Sequence, residues 1–209
     1  MNTPPYRIVT DRLVVRCWEP RDAPLLKEAI DSSLDELRPW MPWAKHEPQT
    51  LEEKVVLLRR FRGRFDLGDD FTYGILSRDE SEVVGGTGLH ARVGADGFEI
   101  GYWIRTSRVG EGLATEATAA LTRVALGHCG VDRVEIRVDP ANERSRAIPR
   151  KLGFYEEAML RRRLRYPDPR DVIVYTLFAA DLPASPAADA TLEAYDARGA
   201  PVPLGGRNR

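Results

Sequence analysis

The sequence predicts an α/β (α+β) protein built on one mixed, mostly antiparallel sheet with helices on both faces. Three observations predict it. Three strand-like segments follow one another through short turns, a strand–helix–strand crossover comes after them, and helical periodicity occurs both before and within this series. Residues 12–18 alternate as a strand, and Asp22 is placed to cap a helix that carries Leu25, Leu26, Ala29 and Ile30 on its inner face. The proline-flanked run LRPWMPWAKHEP at 37–48 breaks regular structure. Thr50 and Glu53 have capping-box spacing, followed by Leu51, Val55, Leu58, Phe61 and Phe65 on one helical face until Gly68 stops the helix. Residues 71–76 and 83–90 read as strands joined around SRDES, and a turn at 93–97 leads into FEIGYWI at 98–104.

The segment RVGEGLATEA at 108–117 joins that third strand to a helix with Leu113, Ala117, Leu121, Val124 and Ala125 at helical spacing. Gly110 and Gly112 therefore open a helix. Such an N-terminus presents unpaired amides and the positive end of the backbone dipole, and glycine lets an anion approach the backbone, so pyrophosphate is the natural guest. A glycine pair before a helix also occurs as plain turn chemistry, so downstream order matters. There, residues 133–138 read as a strand, Asn142 starts a further helix, Ser145 lies in its first turn, and KLGF follows at 151–154. Pro149 removes one ladder bond from that helix and crowds the carbonyl of Ser145, which predicts a short, kinked or late-starting helix.

Length and composition set the limits. A chain of 209 residues fits one domain and buries on the order of 70% of its unfolded surface. We assign residues 1–180 to this domain and read 181–209, rich in Ala, Pro and Gly, as a disordered or loosely packed tail. With 31 basic and 32 acidic residues the net charge is −1, which provides no global field toward nucleic acid or an anionic membrane. Cys17 and Cys129 are too few for a disulfide framework and read as buried or free thiols. The N-terminus lacks an apolar signal region and no run reaches the roughly 18 apolar residues of a spanning helix, so a cytoplasmic protein is expected.

Strand, glycine turn, helix, strand, Asn-capped helix and GF strand, in this order, resemble the GNAT superfamily of acyl-CoA-dependent N-acyltransferases over residues 7–179. TDRLVVRCWEPRDAP, LRPWMPW, EIGYWI with GEGLATEA, and RDVIVYTL resemble its RimJ/RimL branch of ribosomal-protein N-terminal acetyltransferases. Three positions depart from the pattern, one of them Arg150, which stands where an acidic residue often precedes KLGF. Val109 stands where the family's phosphate loop usually carries Gln or Arg, with Arg108 as a neighbouring substitute, and Pro149 stands where many relatives carry a tyrosine acid.

The resemblance implies direct transfer of an acyl group, most simply acetyl from acetyl-CoA, to an amine with both substrates bound together and no metal. The middle strands are expected to splay, with the pantetheine arm of coenzyme A bonded to the strand at Gly101 to Arg105. Ile104 or a neighbour would offer its amide to the thioester oxygen, Gly110, Gly112, Leu113 and Ala114 their amides to the phosphates, and Asn142 its carboxamide to pantetheine. Ser145 is the candidate acid for the leaving thiolate and Glu99 the candidate base, with His90 a second base candidate or a substrate contact. Trp40, Met41 and Trp43 supply aromatic and soft surface for the acceptor, or pack their loop onto the sheet. The arginine run at 161–170 could meet an acidic partner, the 3′-phosphate of coenzyme A, or water. An α-amine of pKa near 8 is about one-tenth neutral at pH 7 and costs about 1 kcal/mol to deprotonate, against about 4 to 5 for lysine, so an N-terminal acceptor needs little help. A small-molecule amine in place of a protein or peptide α-amine, another acyl donor such as succinyl-CoA, an acyl-CoA sensor without catalysis, and homodimer assembly stay open at this point.

Overall fold

A computed structural model describes residues 2–164 and 168–204 of the chain. Among the described residues nine strands form one sheet: β1 (Arg7–Val9), β2 (Leu13–Cys17), β3 (Phe71–Ser77), β4 (Val83–His90), β5 (Gly97–Ile104), β6 (Arg133–Val138), β7 (Tyr155–Leu164), β8 (Arg170–Phe178) and β9 (Glu193–Tyr195). Their spatial order is β7-β8-β6-β5-β4-β3-β2-β1-β9. Neighbours are antiparallel except for β5 and β6, which are parallel. A parallel pair needs a crossover. It is made by α4 (Leu113–Arg123), continued by a π-helical turn at Val124–Cys129 that ends at Gly130 with φ +72°.

Local sequence dictates the other helices. α3 (Leu51–Leu67) starts at Thr50, whose hydroxyl accepts from Glu53 N at 3.2 Å while its own amide donates to the Glu53 carboxylate at 2.7 Å, and it stops at Gly68 with φ +76°. α1 (Ala23–Asp31) and the short α2 (Leu34–Leu37) precede it. Asp22 lies at the start of α1 but caps no helical amide with its side chain. It holds the Arg16 guanidinium at 2.7 and 2.9 Å instead, and accepts from Glu19 N. Adjacent residues of β3 and β4 feed two cores, because successive side chains leave a strand on opposite faces. Ile75 and Val84 join Phe98, Ile100, Leu113, Leu121 and Ile136 in one; Leu76 and Val83 join Trp18, Leu26, Ile30 and Leu58 in the other. On α3 the fully buried side chains include Lys54, ion-paired with Glu47, whereas Leu51 is 41% exposed, against the expected inner face.

The expected loose tail also needs correction. The tail from residue 181 packs over its described length, to Leu204: Ala187 and Ala194 are buried and β9 extends the sheet edge beside β1. Polar staples compensate for its few large apolar groups. Ser185 Oγ donates to Leu152 O at 2.6 Å and Arg123 Nη1 to Ala190 O at 2.6 Å. Residues 205–209 lie outside the described part. The Pro149 helix, α5 (Glu143–Lys151), is short as expected but starts directly after its cap and runs through the proline.

Candidate active site

β5 and β6 register only at Gly97–Arg133, Phe98–Val134 and Glu99–Glu135. Beyond that point β6 continues against β8 and β5 continues against β4, so a gap opens between them along residues 100–104. The gap has a polar edge. Arg105 N donates to Val84 O of β4 at 2.8 Å, and because backbone amides alternate direction along a strand, those of Ile104 and Tyr102 turn toward the gap. The sequence placed this role at Ile104 or a neighbour; the geometry adds Tyr102, nearer the closed end.

The glycine bend lies just past the open end of β5. Gly110 and Gly112 take φ +92° and +79°, a region costly for residues with a Cβ. Glu116 N is the first amide of α4 to close, on Gly112 O at 3.1 Å. Among the described residues, none of the amides from Gly110 to Thr115 donates to a protein acceptor. The space is open: a Cβ at Gly110 would meet nothing within 4 Å, and one at Gly112 only the Arg12 guanidinium at 3.7 Å. Arg12 is anchored there by Glu116 at 2.6 Å and Glu111 O at 2.9 Å, a cation at the bend that sequence spacing could not reveal. Val109 is 45% exposed. Arg108, its expected substitute, is committed to Glu111 at 2.7 Å and Glu82 at 2.5 Å, bonds that raise its pKa. Arg105, expected on the cofactor, is buried against Glu28 at 2.6 and 2.9 Å and ties α1 to the sheet.

Tyr102, Ser145 and Pro149 meet beside the gap. Asn142 Oδ1 accepts from Ser145 N at 3.1 Å and caps α5, so this oxygen serves the helix. Pro149 has no amide for the carbonyl of Ser145 four residues back. The Tyr102 hydroxyl donates to that carbonyl at 3.0 Å, and Ser145 Oγ donates to the Tyr102 oxygen at 3.2 Å. Burial is the main cause that raises the Tyr102 pKa, which keeps this hydroxyl protonated.

A split sheet, a glycine bend with open amides, and an Asn-capped helix thus share one edge. Residues 12–155 match the family described as the acetyltransferase (GNAT) domain. The chain belongs to the GNAT acetyltransferases. It is 29% identical over 161 residues to the [ribosomal protein uS5]-alanine N-acetyltransferase of Escherichia coli, covering 75% of this chain and 81% of that one. Mycobacterium smegmatis RimJ, solved in complex with CoA-disulfide, superposes with a TM-score of 0.76 at 26% identity, over 87% of this chain and 90% of that one. This places the protein in the RimJ/RimL-like branch, with the α/β GNAT fold and N-acetyltransferase activity expected from the sequence.

On the other face of β5 this acetyltransferase places Glu99 and His90 in register. Both oxygens of Glu99 are held by Arg92, at 2.5 and 2.9 Å, and Arg137 lies 3.7 Å away. His90 Nδ1 is 2.7 Å from Asp70. Trp43 packs edge-on to Trp103 of β5 at 5.9 Å, while Trp40 lies under Arg170, which also binds Pro39 O at 3.0 Å and Asp139 at 2.5 Å just beyond β6. Trp43 therefore ties its loop to β5 and Trp40 ties it to Arg170 at the start of β8; Met41 between them is half-buried. Arg161, Arg162 and Arg163 are exposed, and residues 165–167 of that run lie outside the described part. His46 is exposed, and His128 faces the carbonyls of Pro203 and Thr3. Among the described residues no group of three or more His, Cys, Asp or Glu side chains is gathered as metal ligands would be, and no helix is long and apolar enough to cross a membrane.

Proposed function

We propose that the chain transfers acetyl from acetyl-CoA to the N-terminal α-amine of a protein or peptide, with both substrates bound together. The observation that carries this reading is the alignment of the β5–β6 gap with the open bend at Gly110 to Ala114. The relatives support it: one is named for acetylating an alanine of a ribosomal protein and another was solved with a coenzyme A disulfide. Leu113 and Ala114, with the glycines, supply amides for the diphosphate, and Arg12 adds positive charge. The amides of Ile104 and Tyr102 bond the arm that enters the gap, and whichever faces the thioester oxygen stabilises it as it becomes anionic, worth about 3 to 4 kcal/mol for one donor. Asn142 keeps α5 in register beside the arm and offers it the free end of its carboxamide. Ser145 protonates the departing thiolate, its hydroxyl aligned by Tyr102.

The amine can attack only when neutral, and the low cost of that state for an α-amine favours N-terminal acceptors over lysine. The Trp40 to Trp43 loop is the surface against which the first residues of the acceptor would lie. Incubation of the protein with acetyl-CoA, succinyl-CoA and a panel of peptides differing in the first residue, followed by mass spectrometry, tests the reading. Acetylation at the α-amine is expected. Modification only of lysine side chains, or thiol release with succinyl-CoA alone, would overturn it.

A further inference from the structure

We propose that His90, oriented by Asp70, is the general base that takes the proton from the attacking amine, a step that rests on the acyl-transfer reading above. His90 ends β4, and Asp70 immediately precedes β3, two strands that pair directly. The His90 Nδ1 to Asp70 Oδ1 distance is 2.7 Å, and the two side chains are only 17% and 13% exposed. Thr72 donates to the same carboxylate at 3.1 Å, and Arg64 of α3 stands 3.8 Å from it. Burial opposes ionisation of Asp70, but the hydrogen bond from His90, with Arg64 and Thr72, outweighs it and holds the carboxyl below its ordinary value. An ionised carboxylate at Nδ1 fixes the proton there and leaves the Nε2 lone pair available.

Two glycines seat the ring over the site. A Cβ at Gly88 would lie 2.6 Å from Nε2, so only glycine permits this position, and a Cβ at Gly101 would lie 3.8 Å from the same nitrogen. Gly101 is the second residue of β5 beyond the last β5–β6 pair, so Nε2 lies over the β4–β5 pair alongside the inner part of the gap. Among the described residues Nε2 has no protein partner. Glu99, its neighbour in register, is differently placed, since Arg92 occupies both its oxygens. Beyond Glu99, Arg137 lies beside Glu99 and Glu135, and Arg133 reaches Glu135 at 3.1 Å.

In the step, the amine nitrogen bonds to the thioester carbon as the carbonyl electron pair moves to oxygen, and His90 Nε2 accepts the N–H proton. The C–S bond then breaks with its electrons on sulfur, the amide carbonyl re-forms, and the thiolate is protonated by Ser145. The imidazolium proton passes to solvent, which restores the proton that Ser145 gave up.

The test compares His90→Gln, Asp70→Asn and Glu99→Gln with the wild type in acetylation of N-terminal peptides, together with nitrogen NMR of the imidazole. His90→Gln should lower kcat at pH 7 by about 100-fold or more and abolish the acid limb of the kcat profile, with the coenzyme A Kd unchanged within twofold. Asp70→Asn should cost less and keep a shifted limb, and Glu99→Gln should cost least. Nitrogen shifts should assign the His90 proton to Nδ1 in the folded wild type, the signal being identified by its loss in His90→Gln. A His90→Gln enzyme of wild-type kcat, or a neutral ring protonated on Nε2, would overturn the proposal. If the wild type acetylates none of the peptides, the acceptor reading fails on its own, and the tautomer then decides the arrangement proposed for His90.

Discussion

Replacing Gly112 by valine places a branched side chain where the diphosphate is proposed to meet the amides of α4. Two costs can be separated. Gly112 sits at φ +79°, and a residue with a Cβ there loses about 1–2 kcal/mol to backbone strain, but the nearest atom a Cβ would meet is the movable Arg12 guanidinium at 3.7 Å. The folded state should therefore survive with a melting temperature lower by about 2–8 °C for a chain of this size. Ligand binding pays separately. Displacing one charge-assisted bond from an amide to a phosphate removes about 1.5–3 kcal/mol, a factor of about 10 to 150 in Kd. Calorimetric titration with coenzyme A, on protein whose cooperative melting has been recorded, reads both quantities. A variant that melts as expected yet binds coenzyme A like the wild type would show that the bend holds no phosphate.

Other consequences are equally specific. Ser145→Ala should lower kcat by about 10- to 100-fold with a coenzyme A Kd within threefold, whereas a weaker Kd at unchanged kcat would assign Ser145 to binding only. Glu47→Gln strands the fully buried Lys54 ammonium, and should destabilise the protein by about 3–5 kcal/mol; a melting temperature equal to the wild type would refute the pairing. Burial pushes the Cys17 thiol up to about 11 and that of Cys129 to about 12. Since an unfolded thiol ionises near 8.5, their contribution to stability is complete below about pH 8 and is lost as pH rises through 11 to 12. Native protein at pH 8 should accordingly resist iodoacetamide, and alkylation at the rate of the unfolded chain would contradict this.

What the sequence disclosed was local. The Thr50 capping box, the Gly68 stop, the strand at Arg133–Val138 and the bend at Gly110 and Gly112 each depend on residues a few positions apart, and all lie where the spacing put them. What it concealed were partnerships across the chain. Arg105 ends the expected cofactor-binding strand from Gly101, but its side chain bonds Glu28, 77 positions away. Arg108 is claimed by Glu82, Glu99 by Arg92, and His90 by Asp70, through strand pairings and turns that no single segment encodes. In the sequence Tyr102 is one more strand aromatic; its bond to the Ser145 carbonyl, which the missing amide of Pro149 leaves free, spans 43 positions. The tail misled for a similar reason: a three-residue edge strand held by backbone pairing to β1 leaves almost no apolar periodicity to read.

The most direct measurement is a crystal structure of the protein grown with coenzyme A. The diphosphate should lie within hydrogen-bond distance of the amides at the start of α4, and the pantetheine arm should run between β5 and β6 with an amide of Ile104 or Tyr102 bonded to it. A nucleotide bound elsewhere, with the strand gap filled by protein side chains or closed by rejoined strands, would contradict the account.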